Sequence, residues 1–349
     1  MTRGEAIPLH VVTGFLGAGK TSLINRLLSA PALADALVIV NEWGEIGLDH
    51  LLYEAVAGEV ISLNSGCLCC TLRGDLVDTL HDLIARRDAG ALPPFSQVIL
   101  ETSGLADPEP ILVALGADQQ LATRFRLAGV TTLVDAVNGL ASLARHREAA
   151  RQGALADRIG ITKSDLLPAA ERAARLADLR GALRALNPVA PILDIAAGEL
   201  DVEAFLKEPL ALRPREDAAS PGHSASVASS VFESETFASA PALARFLDLL
   251  RDLLGPRLLR VKGLIGLADD PGRPLLIHGA QHVFHPPRRL AGWPDDERRT
   301  RLVVIGDGVA HSEIAPLWAA LEGAPRVDAP DLAALADNPL APRRGGLLA

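Results

Sequence analysis

The sequence predicts an α/β fold, a doubly wound and mostly parallel sheet with a second, smaller α+β domain. Three observations carry that expectation. Runs that are apolar almost throughout, instead of alternating, mark strands covered on both faces. They fall at residues 9–13, 36–40, 60–63, 98–100, 131–134, 158–162 and 192–195. Amphipathic helical stretches lie between them, among them 21–28, 72–87 and 169–186, as in parallel strands joined by crossover helices. Near residue 213 the texture shifts to a stretch rich in Ser, Ala and Pro, 214–230, without apolar period. Such composition reads as a flexible linker.

Past the linker come a strand-like 231–236, a helix at 240–254, strands at 258–267, 275–278 and 301–305, and a helix at 311–321. The expected plan is a first domain 1–212, linker 213–230, second domain 231–322, and a tail 323–349 that is part helix, part disordered. A length of 349 residues suits two domains, and an apolar share of 49% supports a sizeable core. The net charge of −9 argues against general affinity for nucleic acid or an anionic membrane. The early apolar run at 7–16 is too short to span a bilayer, and nothing resembles a signal peptide. Three cysteines within four positions do not make a disulfide framework, so a cytoplasmic protein with reduced thiols is expected. A homodimer is left open.

Residues 14–21, Gly-Phe-Leu-Gly-Ala-Gly-Lys-Thr, satisfy the phosphate-loop pattern between an apolar strand and an amphipathic helix. Gly14, Gly17, Ala18 and Gly19 would let backbone N–H groups curl around phosphate oxygens at a helix N-terminus. Lys20 is expected to reach the β- and γ-phosphates and Thr21 to bind Mg²⁺, with Ser22 among the nucleotide-binding residues. Lysine is scarce here, at four of the 34 basic residues, so Lys20 and Lys163 inside motifs carry extra weight. The strand 98–100 ends in Glu101, which places a carboxylate beside the Mg²⁺, and Gly104 can offer its N–H to the γ-phosphate. Thr162-Lys163-Ser164-Asp165 follows another strand. Asp165 can accept from guanine N1–H and the 2-amino group while Lys163 lies along the base, which makes GTP the expected nucleotide. Thr162 stands where Asn is usual.

Cys67, Cys69 and Cys70 lie between the strand at 60–63 and the helix at 72–87. Three soft ligands suit Zn²⁺ or Co²⁺ and leave one coordination position open, which favours delivery over permanent storage. A redox-sensing thiol cluster and a purely structural one are the competing readings. His278, His282 and His285 are close enough for a second metal site if a turn at Gly279 gathers them; an unbroken strand would separate His285 from the other two, and satisfied or solvated histidines in a hairpin are the favoured reading.

These motifs together resemble the CobW-like family of GTP-dependent metallochaperones and metal-insertion GTPases. The resemblance rests on residues 14–21, the 41–49 stretch Asn-Glu-Trp-Gly-Glu-Ile-Gly-Leu-Asp, 67–70, 101–108, 162–165 and the 260–263 segment Arg-Val-Lys-Gly. It implies a nucleotide-sensing switch at Glu42, Glu45 and Asp49, and it accommodates Thr162. Ser22 departs from a common second Thr, and the linker carries His223 alone instead of a His-rich stretch. The implied activity is GTP hydrolysis gating delivery of a transition metal to a client metalloprotein. A GTPase activator that carries no metal, and a nucleotide-dependent redox sensor, are the rivals.

Overall fold

The computed structural model describes residues 6–43, 60–65, 71–210 and 227–323. The first seven strands are β1 (Ile7–Gly14), β2 (Ala36–Trp43), β3 (Val60–Ser65), β4 (Gln97–Glu101), β5 (Phe125–Asp135), β6 (Arg158–Thr162) and β7 (Ile192–Asp194). They form one sheet in the order β3-β2-β4-β1-β5-β6-β7, every pair parallel. The apolar runs are legible because both faces are covered. Leu9 and Val11 of β1, with Leu37 and Ile39 of β2, enter one core layer. Val12, Val38 and Val40 enter the other, following the two-residue period of a strand.

The helices of this part are α1 (Lys20–Leu28), α2 (Thr71–Asp88), α3 (Glu109–Ala117), α4 (Gln119–Arg124), α5 (Gly139–Arg145), α6 (Arg147–Ala154), α7 (Arg172–Leu186) and α8 (Val202–Leu206). The sequence reading marks no helix between 104 and 158, yet four lie there. Helix α3 buries Ile111 to Leu115 without a break, so it shows no amphipathic period. Helices α4, α5 and α6 are six to eight residues long, shorter than the window over which an apolar period is read.

The second sheet contains β8 (Val227–Ser234), β9 (Leu258–Leu267), β10 (Asp270–Ala280), β11 (Val283–Phe284), β12 (Arg288–Arg289) and β13 (Thr300–Asp307). Its antiparallel order is β11-β10-β9-β13-β8, with β12 also on β10. Strand β8 begins at Val227, inside the stretch expected to be linker. Its Ala228-Ser229-Ser230 segment looks coil-like in sequence but pairs in register with Ile305 and its neighbours in β13. Helices α9 (Ala240–Leu254) and α10 (His311–Leu321) cover one face through Leu250, Phe246 and Trp318. The opposite face, with Leu259, Leu264, Val303 and Ile305, packs on Ala154, Leu155 and Leu186 of the first sheet's helical layer.

A charged cluster lies within that junction. Asp157, just before β6, accepts from Lys262 Nζ at 2.8 Å and meets Arg260 Nη2 at 2.6 Å, with all three side chains at most 7% exposed. Asp157 Oδ2 also accepts from the Val130 amide of β5 at 2.8 Å. Burial alone would raise the Asp157 pKa, but the Arg260 and Lys262 charges outweigh it and hold the carboxyl well below its usual range.

On the far side of the first sheet, His10 is buried against Phe205, with ring centroids 4.8 Å apart, and its Nε2 meets Gln97 Oε1 at 2.9 Å. Burial pushes His10 down to about 4. The folded chain therefore refuses a proton that the unfolded chain takes below pH 6.5. The stability from neutral His10 is full above pH 6.5 and declines as the pH falls toward 4. Between pH 7 and pH 4.5 wild type should lose roughly 2–3 kcal/mol more unfolding free energy than His10→Gln. Equal losses in urea titrations of the two proteins would refute this.

Candidate functional site

Strand β1 leads straight into the phosphate loop. A Cβ on Gly14 would sit 2.5 Å from the Leu133 carbonyl oxygen, so only glycine lets β1 turn that close to β5. The loop closes through Ala18 N–H to Phe15 O at 3.0 Å, and Gly19, at φ 89°, caps α1 in the left-handed region. Helix α1 thus points its N-terminus, with the positive end of its dipole, into the loop.

Lys20, the first residue of α1, folds back and donates from Nζ to Gly14 O at 3.0 Å. The next hydroxyl, Thr21 Oγ1, donates to Glu101 Oε1 at 3.0 Å across the gap between α1 and the end of β4. Parallel pairing of Val12 with Glu101 sets that level, and the Thr102 amide donates to Val12 O at 3.0 Å. Two hard oxygen donors at this spacing fit a Mg²⁺ ion, which takes oxygen ligands beside phosphates. A cleft of about 580 Å³ opens over these groups, lined by Gly17, Lys20, Thr21, Glu101, Gly104 and Lys163 among others. Ser22 lines it as well, whereas Ala18 is buried beneath the loop.

The 162–165 segment joins the phosphate loop directly. Thr162 Oγ1 donates to Ala18 O at 2.8 Å. Lys163 takes a left-handed conformation, φ 58°, and its Nζ reaches Asp135 Oδ2 at 2.8 Å. Asp165 stands exposed in a single 3₁₀ turn, Ser164–Leu166. Buried Ser164 anchors that turn by donating to Asp194 Oδ1 at 2.7 Å. Sequence reasoning quoted Ser164 within its motif without giving it a role, and it missed Asp135 and Asp194, which carry no motif of their own. Their one signal is an acid or hydroxyl at the carboxyl end of an apolar strand.

Other expected residues fare differently. In β2 the pairing of Val40 with Glu101 puts Glu42 two residues beyond the level of Glu101. Glu45, Asp49, Cys67, Cys69 and Cys70 lie outside the described residues; β3 ends at Ser65 and α2 begins at Thr71. The hairpin of β10 and β11 brings His278 and His285 together, with His285 N donating to His278 O at 2.9 Å. The turn comes at Gln281, φ 49°, and not at Gly279, which leaves His282 exposed and apart. Burial pushes His285 down to about 4 and His278 below its usual value. Among the described residues no group of three His, Cys, Asp or Glu side chains could hold a metal. No described helix is long and apolar enough to cross a membrane.

A parallel sheet with a glycine loop, an adjoining Lys-Thr pair and an acid ending the neighbouring strand defines a P-loop nucleotide hydrolase. The sequence pattern of the CobW/HypB/UreG nucleotide-binding domain matches residues 8–194, and that of the cobalamin synthesis protein CobW C-terminal domain matches 227–322. The chain belongs to the CobW/HypB/UreG family. It is similar to the zinc chaperone YjiA of Escherichia coli, 30% identical over 323 residues covering 90% of this chain and 98% of YjiA. It is also similar to the zinc chaperone CobW of Pseudomonas aeruginosa, 30% identical over 346 residues covering 88% and 90%. The crystal structure of Zn(II)-bound YjiA GTPase from E. coli superposes with a TM-score of 0.65 at 26% identity, covering 91% of this chain and 99% of that one.

Lys20→Ala should leave the fold intact and abolish nucleotide hydrolysis, because Nζ faces the loop that cradles phosphate. Turnover equal to wild type, in a protein with unchanged circular dichroism, would remove Lys20 from the site.

Proposed function

We propose that the chain is a GTP-gated metallochaperone that binds Zn²⁺ or Co²⁺ through Cys67, Cys69 and Cys70 and passes it to a client metalloprotein on hydrolysis. The observation that carries this reading is the cleft in which Lys20, the Thr21–Glu101 oxygen pair and Lys163 meet. A cysteine trio of metal-ligand type follows β3 in the same sheet. The zinc-chaperone relatives support Zn²⁺ as the cargo.

In this reading Gly14, Gly17, Ala18, Gly19 and Ser22 wrap the phosphates, while Lys20 neutralises charge on the β- and γ-phosphoryl oxygens. Thr21 and Glu101 would hold Mg²⁺, which supplies further charge neutralisation at the phosphates. Thr162, Lys163 and Asp165 form the base site, and the exposed position of Asp165 leaves its carboxylate accessible to guanine. Glu42, Glu45 and Asp49 form the switch segment, and Gly104 reports the γ-phosphate. Loss of that phosphate loosens the switch and the thiolate site together. The coupling is reciprocal, so metal tightens GTP binding by the factor with which GTP tightens metal binding.

Asp165→Asn should erase most discrimination of GTP from ATP, a loss of a few kcal/mol through unpaired polar groups. Competition titrations with a fluorescent guanine nucleotide measure it. Equal competition by ATP and GTP in wild type would exclude the guanine site.

Cys67, Cys69 and Cys70 are the chain's three cysteines, so Co²⁺ bound through thiolate must give a near-ultraviolet charge-transfer band that disappears on their joint replacement by Ser. Chelator competition should show affinity about 100-fold higher with a non-hydrolysable GTP analogue and Mg²⁺ than with GDP, the upper end of ordinary allosteric coupling. Equal affinity in both states would refute GTP gating, even with metal bound.

A further inference from the structure

Behind the nucleotide cleft, residues 103–106 form a tight turn in which the Ala106 amide donates to Ser103 O at 3.1 Å. Its central residues, Gly104 and Leu105, both line the cleft. A Cβ on Gly104 would lie 2.8 Å from the Leu16 backbone, so the turn presses directly on the phosphate loop. The other side of the turn faces α6. There Gln152, wholly buried, donates from Nε2 to Gly104 O at 3.2 Å and to Ala106 O at 2.9 Å. Arg151, beside it in α6, pairs with Asp107 and Glu109 just downstream of the turn.

Gln152 does not line the nucleotide cleft. It borders a separate small cavity of about 50 Å³ behind the phosphate loop. The Gly104 carbonyl, held by Gln152, is therefore turned away from the cleft. Because the peptide unit is planar and trans, the N–H of the same peptide, that of Leu105, points the opposite way, toward the nucleotide side. Turning this peptide over would aim the carbonyl at the γ-phosphate and force Leu105 to a positive φ. Neither Gly104 nor Leu105 has a positive φ in the structure. Gln152 also leaves its own Oε1 buried without a hydrogen-bond partner. Such an atom costs about 1–3 kcal/mol, so an apolar side chain would suit this position unless the two donors matter.

We propose that Gln152 is a positioning residue for GTP hydrolysis: by gripping the carbonyls of Gly104 and Ala106 from behind, it keeps the Leu105 N–H aimed at the γ-phosphate. The proposal rests on the reading of the cleft as the GTP site, in which Gly104 reads the γ-phosphate, and adds to it a second donor on the next peptide and the group that holds that donor. GDP has no γ-phosphate and does not use this donor.

The test compares wild type with Gln152→Met, a variant of similar length without donors, in full-length protein. The expected result is a kcat about 10- to 100-fold lower, because a preorganised oxyanion donor is worth roughly 10²–10³ in rate and here it is misaimed, not deleted. KM for GTP and Kd for fluorescent GDP should stay within about threefold of wild type. An unchanged kcat, or a GDP affinity that falls in parallel with kcat, would overturn the proposal; the second result is that of a merely structural residue. A measurement on wild type alone covers a variant that does not fold. Hydrogen exchange at the Leu105 amide should slow when a non-hydrolysable GTP analogue with Mg²⁺ replaces GDP, and no change there overturns the proposal as well. Wild type that neither binds GDP nor turns over GTP would instead defeat the nucleotide reading itself.

Discussion

One desolvated carboxylate lies at the junction that joins the two sheets of this chain. Asp157 carries Arg260 and Lys262 of the second sheet on its two oxygens and the Val130 amide of the first. Removing the carboxylate would strand two cations in a dry interior, at a cost of about 3–5 kcal/mol. A buried ion pair is not necessarily more stabilising than a well-packed apolar contact, but it is more exacting about position. The apolar faces around it, with Leu155 and Leu186 against Leu259 and Val303, supply area; Asp157 supplies register.

That register is inherited by the nucleotide site. Strand β6 starts immediately after Asp157 and ends at Thr162, about 16 Å away at ordinary strand rise. Strand β5, anchored at Val130, ends at Asp135, which holds Lys163. The two strands whose carboxyl ends carry Asp135 and Thr162 are thus fixed at their middle or origin by the same carboxylate. Helix α6 repeats the theme. Its Arg151 and Gln152 hold the turn over the cleft, Arg147 pairs with Asp307 of β13, and the Leu155 carbonyl just past it accepts from Arg260. The turn that lines the cleft and the second sheet thus contact one and the same short helix.

The strands and phosphate loop were legible in the sequence because their constraints are local. A parallel strand covered on both faces must be apolar throughout, and a phosphate loop must be glycine-rich with Lys and a hydroxyl at fixed spacing. The Lys20, Thr21 and Glu101 arrangement follows from such local rules. Asp157 was illegible for the opposite reason: it is a single acid in an unremarkable turn, and its charged partners lie more than 100 residues away. Gln152 was hidden similarly, its helix being too short to announce itself and its role residing in two carbonyls that any residue would offer. The histidine trio shows a subtler limit. Spacing correctly suggested a hairpin, but the residue that takes the left-handed turn, Gln281, decided which histidines meet.

The Thr162 hydroxyl, donating to the Ala18 carbonyl, has a consequence for how this site can drift. The position requires a short donor facing the phosphate loop, and a carboxamide and a hydroxyl both meet that requirement. The hydroxyl of Thr162 thus serves the phosphate loop directly. Valine, which matches threonine in shape, would leave the carbonyl of a phosphate-loop residue unpaired in a buried wall. Over evolutionary time this position cannot become greasy without loosening the loop next door.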